Sequence, residues 1–355
     1  MGNCRFYYSN LITSSTMIEV TSQRSGFVTA PYKEGQGYGG LRTYGAFTGS
    51  QDLEYVVEID STASGNEVAQ AKYQWRDSDS AWDATGVLTT TATAALNNGI
   101  SISFTTATGS DFYLGDRFYF KGMNLFKPGN LIDGDRNTRW RAAVNASTGK
   151  INVNLGSAQE VKTIILYDHN FASNSTITIT GADSTNFSTG FSTKATWNAG
   201  KIVHNLATAS TWQYWRIDIT ASAAASTLLE LGELYIGGYL QPTDNFSVDG
   251  AQPVEIITDT QMNRDGVRKD IFRAQKKRFD LSFPHLRSTD KDNLETMVSA
   301  LGDSTTQKYK PVFFNIDSTL PNETWLVKVD GNISKTAHKA RYSVDLTLEE
   351  VVKSA

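Results

Sequence analysis

The sequence predicts a mainly β protein of three modules, and three observations support this prediction. Short segments that alternate apolar and polar residues, or that are rich in β-branched and aromatic residues, recur between clusters of Gly, Ser, Asn and Asp. Only one segment has the apolar spacing of an amphipathic helix. Hydrophobic residues form 39% of the 355 residues, with 17 Phe, 15 Tyr and 7 Trp, enough for several packed cores. We therefore expect two β-sandwich modules followed by a C-terminal β-sandwich with one flanking α-helix.

Two series of predicted strands define the first two modules. The first series occupies 53–60, 71–77, 99–106 and 116–122. The second series occupies 150–156, 161–168, 175–181, 214–220 and 228–238. Short strands at this spacing, separated by turn residues, are typical of β-sandwiches.

The first series has the character of a domain inserted into the second. The segment 10–22 has the pattern of an opening strand, and 122–135 could continue it directly. An inserted domain is well tolerated at a surface turn when its two ends lie close together. We therefore expect one sandwich to comprise 1–26 with 122–239, and a small inserted sandwich to comprise 27–121.

The third module is predicted over 240–355, after the Gly- and Pro-containing segment "GGYLQPTDN". Its order is one strand, one helix and three strands. The helix is predicted over 289–301, with Ser288 or Thr289 as its N-cap and Gly302 at its end. Its apolar stripe consists of Leu294, Met297, Val298 and Leu301.

Composition excludes several classes of protein. The formal net charge of -4 gives no overall attraction to nucleic acid, and no nucleic-acid-binding motif is present. No apolar run approaches the roughly 18 residues that span a bilayer. The single cysteine, Cys4, cannot form an intrachain disulfide. No signal-peptide pattern is present, so we expect synthesis in a cytoplasm.

Catalytic motifs are also missing from the sequence. The four histidines are scattered, without an i, i+4 pair, and no G-x-S-x-G motif occurs. The segment "GQGYGG" at 35–40 matches G-x-G-x-x-G but precedes no helix, so we expect a flexible Gly-rich loop. Carboxylates are plentiful, but nothing distinguishes one pair as the acid and base of a glycosidase. We therefore expect a protein that is not an enzyme.

The segment "NLIDGDRNTRW" at 130–140 concentrates residues that suit a calcium site. Asp133 and Asp135 offer carboxylate oxygens two residues apart, Gly134 permits the sharp turn, and Thr138 could add a hydroxyl or carbonyl oxygen. Glu233, or Glu230, could complete the site from a later strand. The alternative is a turn in which both aspartates accept backbone N–H groups and Trp140 lies in the core. The spacing leaves both interpretations open.

The middle of the chain resembles the discoidin, or coagulation factor 5/8 type C, branch of the galactose-binding-like domains. The shared residues are Asp133, Gly134, Thr138 and Trp140, then Asn154, Leu155, Gly156 and Val161, and finally Glu230 and Glu233. The resemblance covers about 122–238, with 5–22 as a first strand. It implies a jelly-roll sandwich in which Trp140 is structural, a structural calcium held by Asp133, Asp135, Thr138 and Glu233, and glycan binding at loops. Sugar contacts would then come from Trp197, Trp212 and Tyr214.

The flanking blocks resemble proteins of tailed bacteriophages. The segment "GSDFYLGDRFYF" at 109–120 is similar to small β-sandwich modules of phage tail and surface proteins. The segments "RFDLSFPHLRSTDKDNLETMVSALG", "KPVFFNID", "WLVKVDG" and "YSVDLTLEEV" resemble phage distal-tail and minor tail proteins, including a C-terminal Leu-Glu-Glu-Val strand at 348–351. Such proteins form a ring at the tail end.

The combined resemblances imply a structural component of a phage virion at the distal tail or baseplate, made in the host bacterial cytoplasm. The module 240–355 would form a homo-oligomeric ring, with sixfold symmetry implied by tail tubes. The sandwiches would dock tube, hub or fibre proteins, or contact host-surface glycans. No cofactor is required, apart from the calcium that the resemblance implies. The alternatives are a carbohydrate-binding host-receptor adhesin and a tail-associated glycan-degrading enzyme.

Overall fold

The computed structural model describes residues 2–20, 23–49, 51–78, 81–143, 148–220, 228–247, 254–262, 268–303, 308–338 and 341–353. The predicted fold class is confirmed, because these residues form β-sheets with one α-helix. None of the helices in these segments has the length and apolar run that a bilayer span needs.

In chain order, the elements are β1 (Arg5–Tyr7), β2 (Ile18–Val20), β3 (Phe27–Val28), β4 (Tyr32–Glu34), β5 (Gly40–Gly45), β6 (Leu53–Ser61), β7 (Lys72–Asp77), β8 (Ala84–Leu88), β9 (Ala94–Ala95), β10 (Ile100–Thr105), β11 (Arg117–Met123), β12 (Trp140–Arg141), β13 (Thr148–Tyr167), β14 (Thr176–Ala182), β15 (Phe191–Ala195), β16 (Lys201–Thr220), β17 (Glu230–Leu231), β18 (Glu233–Gly237), β19 (Val254–Met262), β20 (Arg268–Leu286), α1 (Ser288–Leu301), β21 (Gly302–Asp303), β22 (Lys308–Tyr309), β23 (Val312–Asn315), β24 (Thr324–His338) and β25 (Arg341–Glu350). Short 3-10 helices lie at Ser15–Met17 and Pro128–Leu131.

The chain divides into two compact units, residues 23–127 and residues 1–22 with 128–355. In the first unit, one sheet has the order β5-β10-β9, and the other has the order β3-β11-β6-β7-β8 with β4 also paired to β11. Alternate side chains of both sheets, such as Phe104 and Phe118, meet in one core. Residues 23–127 therefore form a β-sandwich, a few residues longer at each end than the predicted insert.

The Gly-rich segment 35–40, predicted as a flexible loop, is tied to the buried carboxylate of Asp116. The Gly37 N–H donates to Asp116 Oδ2 at 3.1 Å, and Lys33 Nζ donates to the Gly37 carbonyl at 2.6 Å. A Cβ atom at Gly35, whose φ is +136°, would lie 2.0 Å from Asp116 Oδ1. The glycine at this position allows a close backbone approach to a buried carboxylate.

In the second unit, β13 and β16 have 20 residues each and pair along most of their length. One half of this ladder also pairs with β2 and β14, while β18 joins the other half. Register shifts in β13, between Asn154 and Gln159 and between Val161 and Thr163, separate the halves. Because buried side chains of both halves belong to one core, the two halves form the layers of a sandwich.

The structure corrects part of the assignment of 1–26 to this sandwich, since β1 lies elsewhere, whereas Asn10 bridges Gly237 of β18 and Ile12 lies in the sandwich core. Only β2 pairs with β13, whereas β1 pairs with β23 in the C-terminal sheet, with Phe6 opposite Phe314. Phe6 is fully buried among C-terminal core residues. Three residues of alternating sequence cannot specify which sheet edge they complete, since any edge offers the same backbone groups.

The C-terminal sheet has the order β1-β23-β24-β25-β20-β19, and α1 covers one of its faces. The predicted stripe of the helix is confirmed, because Leu294, Met297, Val298 and Leu301 are all buried. The predicted capping by Ser288 or Thr289 is wrong. Arg287 is the N-cap residue and its side chain makes no capping hydrogen bond, while Gly302 ends the helix as expected.

The sandwich and the C-terminal sheet share an apolar interface, formed by buried residues of both: Tyr7, Ile165, Tyr167, Tyr235, Phe313 and Leu326. The rings of Tyr167 and Phe313 lie with their centroids 5.3 Å apart. Lys201 Nζ also donates to the Thr324 carbonyl at 2.7 Å. The apolar interface explains why residues on both sides of position 240 form one compact unit.

Arg136 reinforces this interface from the loop that precedes β12. Its guanidinium makes two hydrogen bonds to the Asp168 carboxylate, at 2.9 and 3.2 Å. It also contacts Glu350 Oε1 at 3.1 Å and donates to the Val351 carbonyl at 2.8 Å. The half-buried, bidentate geometry makes this ion pair stronger than a solvent-exposed one.

His169 lies in the sandwich with both ring nitrogens occupied. Nε2 lies 2.9 Å from the Asn198 carbonyl, and the Phe171 N–H donates to Nδ1 at 3.1 Å. These contacts require the neutral tautomer with its proton on Nε2, because Nδ1 must accept. Burial lowers the pKa of the imidazole to about 4.

We expect the stability of the protein to fall as the pH decreases from about 6.5 to about 4. The unfolded chain binds a proton at the ordinary histidine pKa while folded His169 stays neutral, so acid favours unfolding by up to about 3 kcal/mol. Urea unfolding at a series of pH values would measure this dependence. His169→Gln should reduce it, leaving a residual dependence from His204, whose pKa burial also lowers. The same substitution at the exposed His338 is the control, and an unchanged pH profile in His169→Gln contradicts the expectation.

Candidate functional site

The segment 133–138 folds into a tight loop closed by its own polar side chains. The Asp135 N–H donates to Asp133 Oδ1 at 2.9 Å, and the Thr138 hydroxyl donates to Asp133 Oδ2 at 2.7 Å. The Asn137 N–H donates to Asp135 Oδ1 at 2.9 Å. Both aspartates therefore accept backbone N–H groups within the loop.

Gly134 brings this loop against the C-terminal sheet and against Glu233. Its φ is +68°, and a Cβ atom there would lie 2.5 Å from Pro311 Cγ, so a larger side chain would collide. Asp133, Gly134 and Glu233 line a cavity of about 540 Å³, to which Tyr8 and Lys310 also contribute. The loop opening therefore faces a space of ligand size.

Glu233 is buried, and its Oε1 has no hydrogen-bond partner among the described residues. Burial, followed by the charge of Asp133, raises the pKa of Glu233 well above its ordinary value. Glu230 is engaged elsewhere, since its carboxylate pairs with Arg139 at 2.7 Å and with Arg141. Of the two glutamates that the sequence offered, only Glu233 is left to face the loop.

The donor chemistry of this loop fits a cation such as calcium. Asp133 and Glu233 line the same cavity, the Thr138 hydroxyl is hydrogen-bonded to Asp133 Oδ2, and hard oxygen donors of this kind suit Ca²⁺. In the described segments, no three His, Cys, Asp or Glu side chains are grouped so that they could hold a metal. A cation here would therefore also depend on hydroxyl and carbonyl oxygens. The observation that favours a cation at this loop is Glu233 Oε1, a buried oxygen without a hydrogen-bond partner among the described residues.

Trp140 begins β12 and is fully buried in the sandwich core. It pairs with Leu231 across β12 and β17, so it continues the core from the end of the loop. The ring is not available to a ligand.

A second candidate site is a cleft of about 220 Å³ on the outer face of the β2-β13-β16 part of the sandwich. Side chains from each strand line it, namely Glu19, Asn152, Asn154 and Tyr214. Met17 from the 3-10 helix before β2, and Thr185 and Phe187 from the loop after β14, also line it. Tyr214 is paired with Asn154 in the ladder, and Arg216 is paired with Asn152. Alternation along the strands therefore places amides, a carboxylate and a phenol on one exposed face.

Phe187 closes the cleft in an unusual backbone conformation. Its φ is +53°, which costs energy for a bulky side chain and is found where surrounding contacts impose it. Two hydrogen bonds flank this conformation: Asn186 Oδ1 accepts the Ser188 N–H at 3.0 Å, and the Phe187 N–H donates to the Ser184 carbonyl at 3.2 Å. The Arg216 guanidinium lies 3.9 Å from the ring centroid, and Arg216 Nε donates to Asn152 Oδ1 at 3.0 Å. The loop thus presents an aromatic ring that is fixed in place.

The structure does not bring the three predicted sugar contacts together. Tyr214 lines the cleft. Trp212 is half-buried and packs on Gly181, where a Cβ atom would come within 2.4 Å of the ring. Trp197 lies beyond the Tyr167–Lys201 end of the ladder, where its Nε1 donates to the Phe171 carbonyl at 3.0 Å. Trp212 and Trp197 contribute to the core rather than to the cleft.

Sequence reasoning missed Phe187, Arg216 and Arg136. The alternation in "YWRIDIT" could have revealed Arg216, because it places Tyr214 and Arg216 on one strand face. Phe187 and Arg136 lie in loops, where no periodicity indicates which way a side chain points.

Comparisons with known proteins show similarity in the middle of the chain. Residues 107–231 match the family described as the F5/8 type C domain. A search of curated proteins finds no match. Among solved structures, chitosan-binding module 1 from a chitosanase/glucanase of Paenibacillus sp. IK-5 is 26% identical, with 32% of this chain and 86% of that chain covered at a TM-score of 0.27. Module 2 of that enzyme, in complex with chitotriose, is 23% identical, with 33% and 89% covered at a TM-score of 0.27.

A GH29 fucosidase of Ruminococcus gnavus in complex with fucose is 16% identical, with 32% of this chain and 22% of that chain covered at a TM-score of 0.27. Each of these alignments spans about a third of the chain. From residue 128 onward, the match to the F5/8 type C domain covers strands of the sandwich and the loop ending in Trp140, whereas 107–127 belong to the other compact unit. The chain therefore contains a discoidin-like β-sandwich.

Proposed function

We propose that the discoidin-like sandwich binds carbohydrate at its outer-face cleft, without modifying the sugar. The observation that carries this proposal is the convergence of Tyr214 and the fixed ring of Phe187 with the amides of Asn152 and Asn154 in one cleft. The match of the sandwich to the F5/8 type C domain supports a binding role for this module.

The chemistry of the cleft suits a sugar. Aromatic rings carry partial negative charge on their faces and attract the C–H groups of a pyranose. The Nδ2 groups of Asn152 and Asn154 offer donors, because their Oδ1 atoms already accept hydrogen bonds within the protein, and the Glu19 carboxylate offers an acceptor. Arg216 makes no ion pair with any residue of the described segments and adds a cationic donor beside Phe187.

We expect Tyr214→Ala to weaken glycan binding roughly tenfold, the order of magnitude that loss of a ring contact produces. The full chain would be applied to a printed array of bacterial and animal oligosaccharides, and affinities for the bound members would be measured by titration. Tyr44→Ala, which removes an exposed tyrosine of the 23–127 unit, is the matched control.

Recovery of the bound oligosaccharide intact would agree with binding without catalysis. The cleft is not the binding site if the wild-type chain binds no oligosaccharide on the array, or if the wild type and Tyr214→Ala bind with equal affinity. Release of new reducing ends would favour a glycan-degrading enzyme instead.

We also propose that Asp133, Asp135, Thr138 and Glu233 hold a structural calcium ion. A dication would neutralise the adjoining carboxyls and satisfy the Glu233 oxygen that has no partner in the described part of the chain. Because the same loop carries Gly134 against Pro311 and Arg136 against Glu350, an ion there would stabilise the contact with the C-terminal sheet.

Calcium is expected to raise the thermal midpoint of the wild-type chain, and a chelator should lower it. At a concentration a hundredfold above Kd, the expected gain is about 2.7 kcal/mol. Glu233→Gln should lose the response, whereas Glu230→Gln should keep it because Glu230 pairs with Arg139 and Arg141. A melting temperature indifferent to calcium and to chelator in the wild-type chain would falsify the site.

A second candidate function is assembly into a homo-oligomeric ring of a phage tail, and one observation favours it. β19 pairs with residues 268–277 of β20, while β25 pairs with β20 only from Arg278 onward. The hairpin of β19 and β20 therefore extends past β25 as a two-stranded ribbon. Isolated ribbons are marginally stable in water, and their open edges attract further strands. A neighbouring copy in a virion ring could complete this edge, as the resemblance of the C-terminal block to distal-tail proteins implies.

The ring proposal predicts a multi-subunit particle in sedimentation velocity of the full chain. Amide hydrogen exchange in 254–262 should slow as the protein concentration rises, because strand addition protects the backbone of an edge strand. A monomer at every concentration, with exchange in 254–262 independent of concentration, would count against assembly through this ribbon.

A further inference from the structure

We propose that the inserted sandwich carries a second carbohydrate-binding surface, formed by Tyr32 and Tyr119 on the outer face of the sheet that contains β4, β11, β6 and β7. This inference goes beyond the proposed function, because it concerns the 23–127 unit rather than the discoidin-like sandwich. The two proposals are independent: either surface can bind carbohydrate while the other does not.

Strand register defines the surface. Tyr32 of β4 lies directly opposite Tyr119 of β11, Tyr119 lies opposite Val56 of β6, and Val56 lies opposite Arg76 of β7. Four side chains therefore form one row across four adjacent strands, over about 14 Å at the usual strand spacing. We refer to these four residues, of which Tyr32 and Tyr119 carry the rings, as the aromatic row.

Burial shows that the row has an apolar floor and an open end. Val56 faces away from the core, since its neighbours Tyr55 and Val57 fill the core, yet it is only 8% exposed. Side chains on the outer face must therefore cover it, and Tyr119 and Arg76 are its direct cross-strand neighbours. Tyr32, at the end of the row, is 64% exposed. Tyr32 and Tyr119 line a shallow cavity of about 380 Å³.

Charged residues flank the aromatic row on both sides. Glu34 lies opposite Arg117 on one side, and Lys121 lies opposite Glu54 on the other. Arg117 is paired with Glu58 at 2.8 Å. In the described part of the chain, Glu34, Glu54 and Lys121 have no ion-pair partner, so two acceptors and one donor border the rings.

This arrangement fits a sugar better than a protein partner. The apolar strip is one residue wide, whereas a stable protein interface needs about 800 Å² on each partner with an apolar centre. A pyranose ring needs one apolar face for its C–H groups and both donors and acceptors for its hydroxyls. The row of rings with carboxylates and an ammonium on its two sides supplies both.

The test uses the full chain on the same kind of printed oligosaccharide array, with four proteins: wild type, Tyr32→Ala with Tyr119→Ala, Tyr214→Ala, and the control Tyr44→Ala. Tyr44 is an exposed tyrosine on β5, in the other sheet of the same unit. A local readout is added by hydrogen–deuterium exchange of 29–34 and 117–123 with and without the best-bound array oligosaccharide.

We expect the double alanine variant to lose roughly tenfold in affinity for a subset of glycans that Tyr214→Ala still binds, with slower exchange in 29–34 and 117–123 of the wild type. Tyr32→Phe with Tyr119→Phe should retain most of that affinity, because the rings remain. The phenylalanine pair also shows whether a loss in the alanine pair reflects the rings or the folding of the sheet.

Three outcomes would overturn the proposal. The first is a double alanine variant that binds every glycan as the wild type does. The second is a loss of all binding in Tyr214→Ala, which would leave the cleft as the sole site. The third is a change in sedimentation of the double variant without any change in sugar binding, which would identify the row as a protein contact.

Discussion

The guanidinium of Arg136 joins the signature loop of the sandwich to the C-terminal sheet, and the second unit depends on this contact. Arg136 binds Asp168, at the end of β13, and also reaches Glu350 and the Val351 carbonyl beyond β25. The apolar interface around Tyr167 and Phe313 lies beside it. The sandwich is thereby joined to a sheet whose residues lie more than 200 positions away in the sequence. Gly134 is required for the same reason, since Pro311 occupies the space that any side chain there would need.

Both candidate binding surfaces lie on the outer faces of the sheets, where polar side chains point away from the core. In the discoidin-like sandwich, β13 and β16 place Asn152, Asn154, Tyr214 and Arg216 on one exposed face, and the strained Phe187 completes a concave cleft there. In the inserted sandwich, direct cross-strand pairing places Tyr32 beside Tyr119. In both units the interior side chains of the same strands form the core, so the faces are held rigidly without contributing to it. Rigid presentation reduces the entropy that a ligand must offset on binding.

Local patterns in the sequence predicted the elements with strong periodicity. The stripe of α1 ends up buried because residues at i, i+3, i+4 and i+7 share one side of a helix wherever that helix packs. Trp140 lies in the core, as its position after the Asp-Gly turn suggested. The partner of β1 was not predictable, because three residues complete any open edge equally well. The separation of Trp197 from Tyr214 was not predictable either, since the distance along a long ladder depends on its register shifts.

By itself, the sequence determined that this protein is mainly β with one amphipathic helix, and its resemblance to discoidin domains indicated the sandwich in its middle. It left two interpretations of the loop 133–138 open, a turn and a calcium site. The strand and helix content follows from periodicity and turn chemistry, which act within a few residues, whereas the type of sandwich was implied by the family resemblance. Only the tertiary structure decided that Glu233 rather than Glu230 faces the loop, that Phe187 and Arg216 meet beside Tyr214, and that Tyr32 and Tyr119 are neighbours. Each of these depends on strand register and on ion pairs between distant segments, which local sequence does not encode.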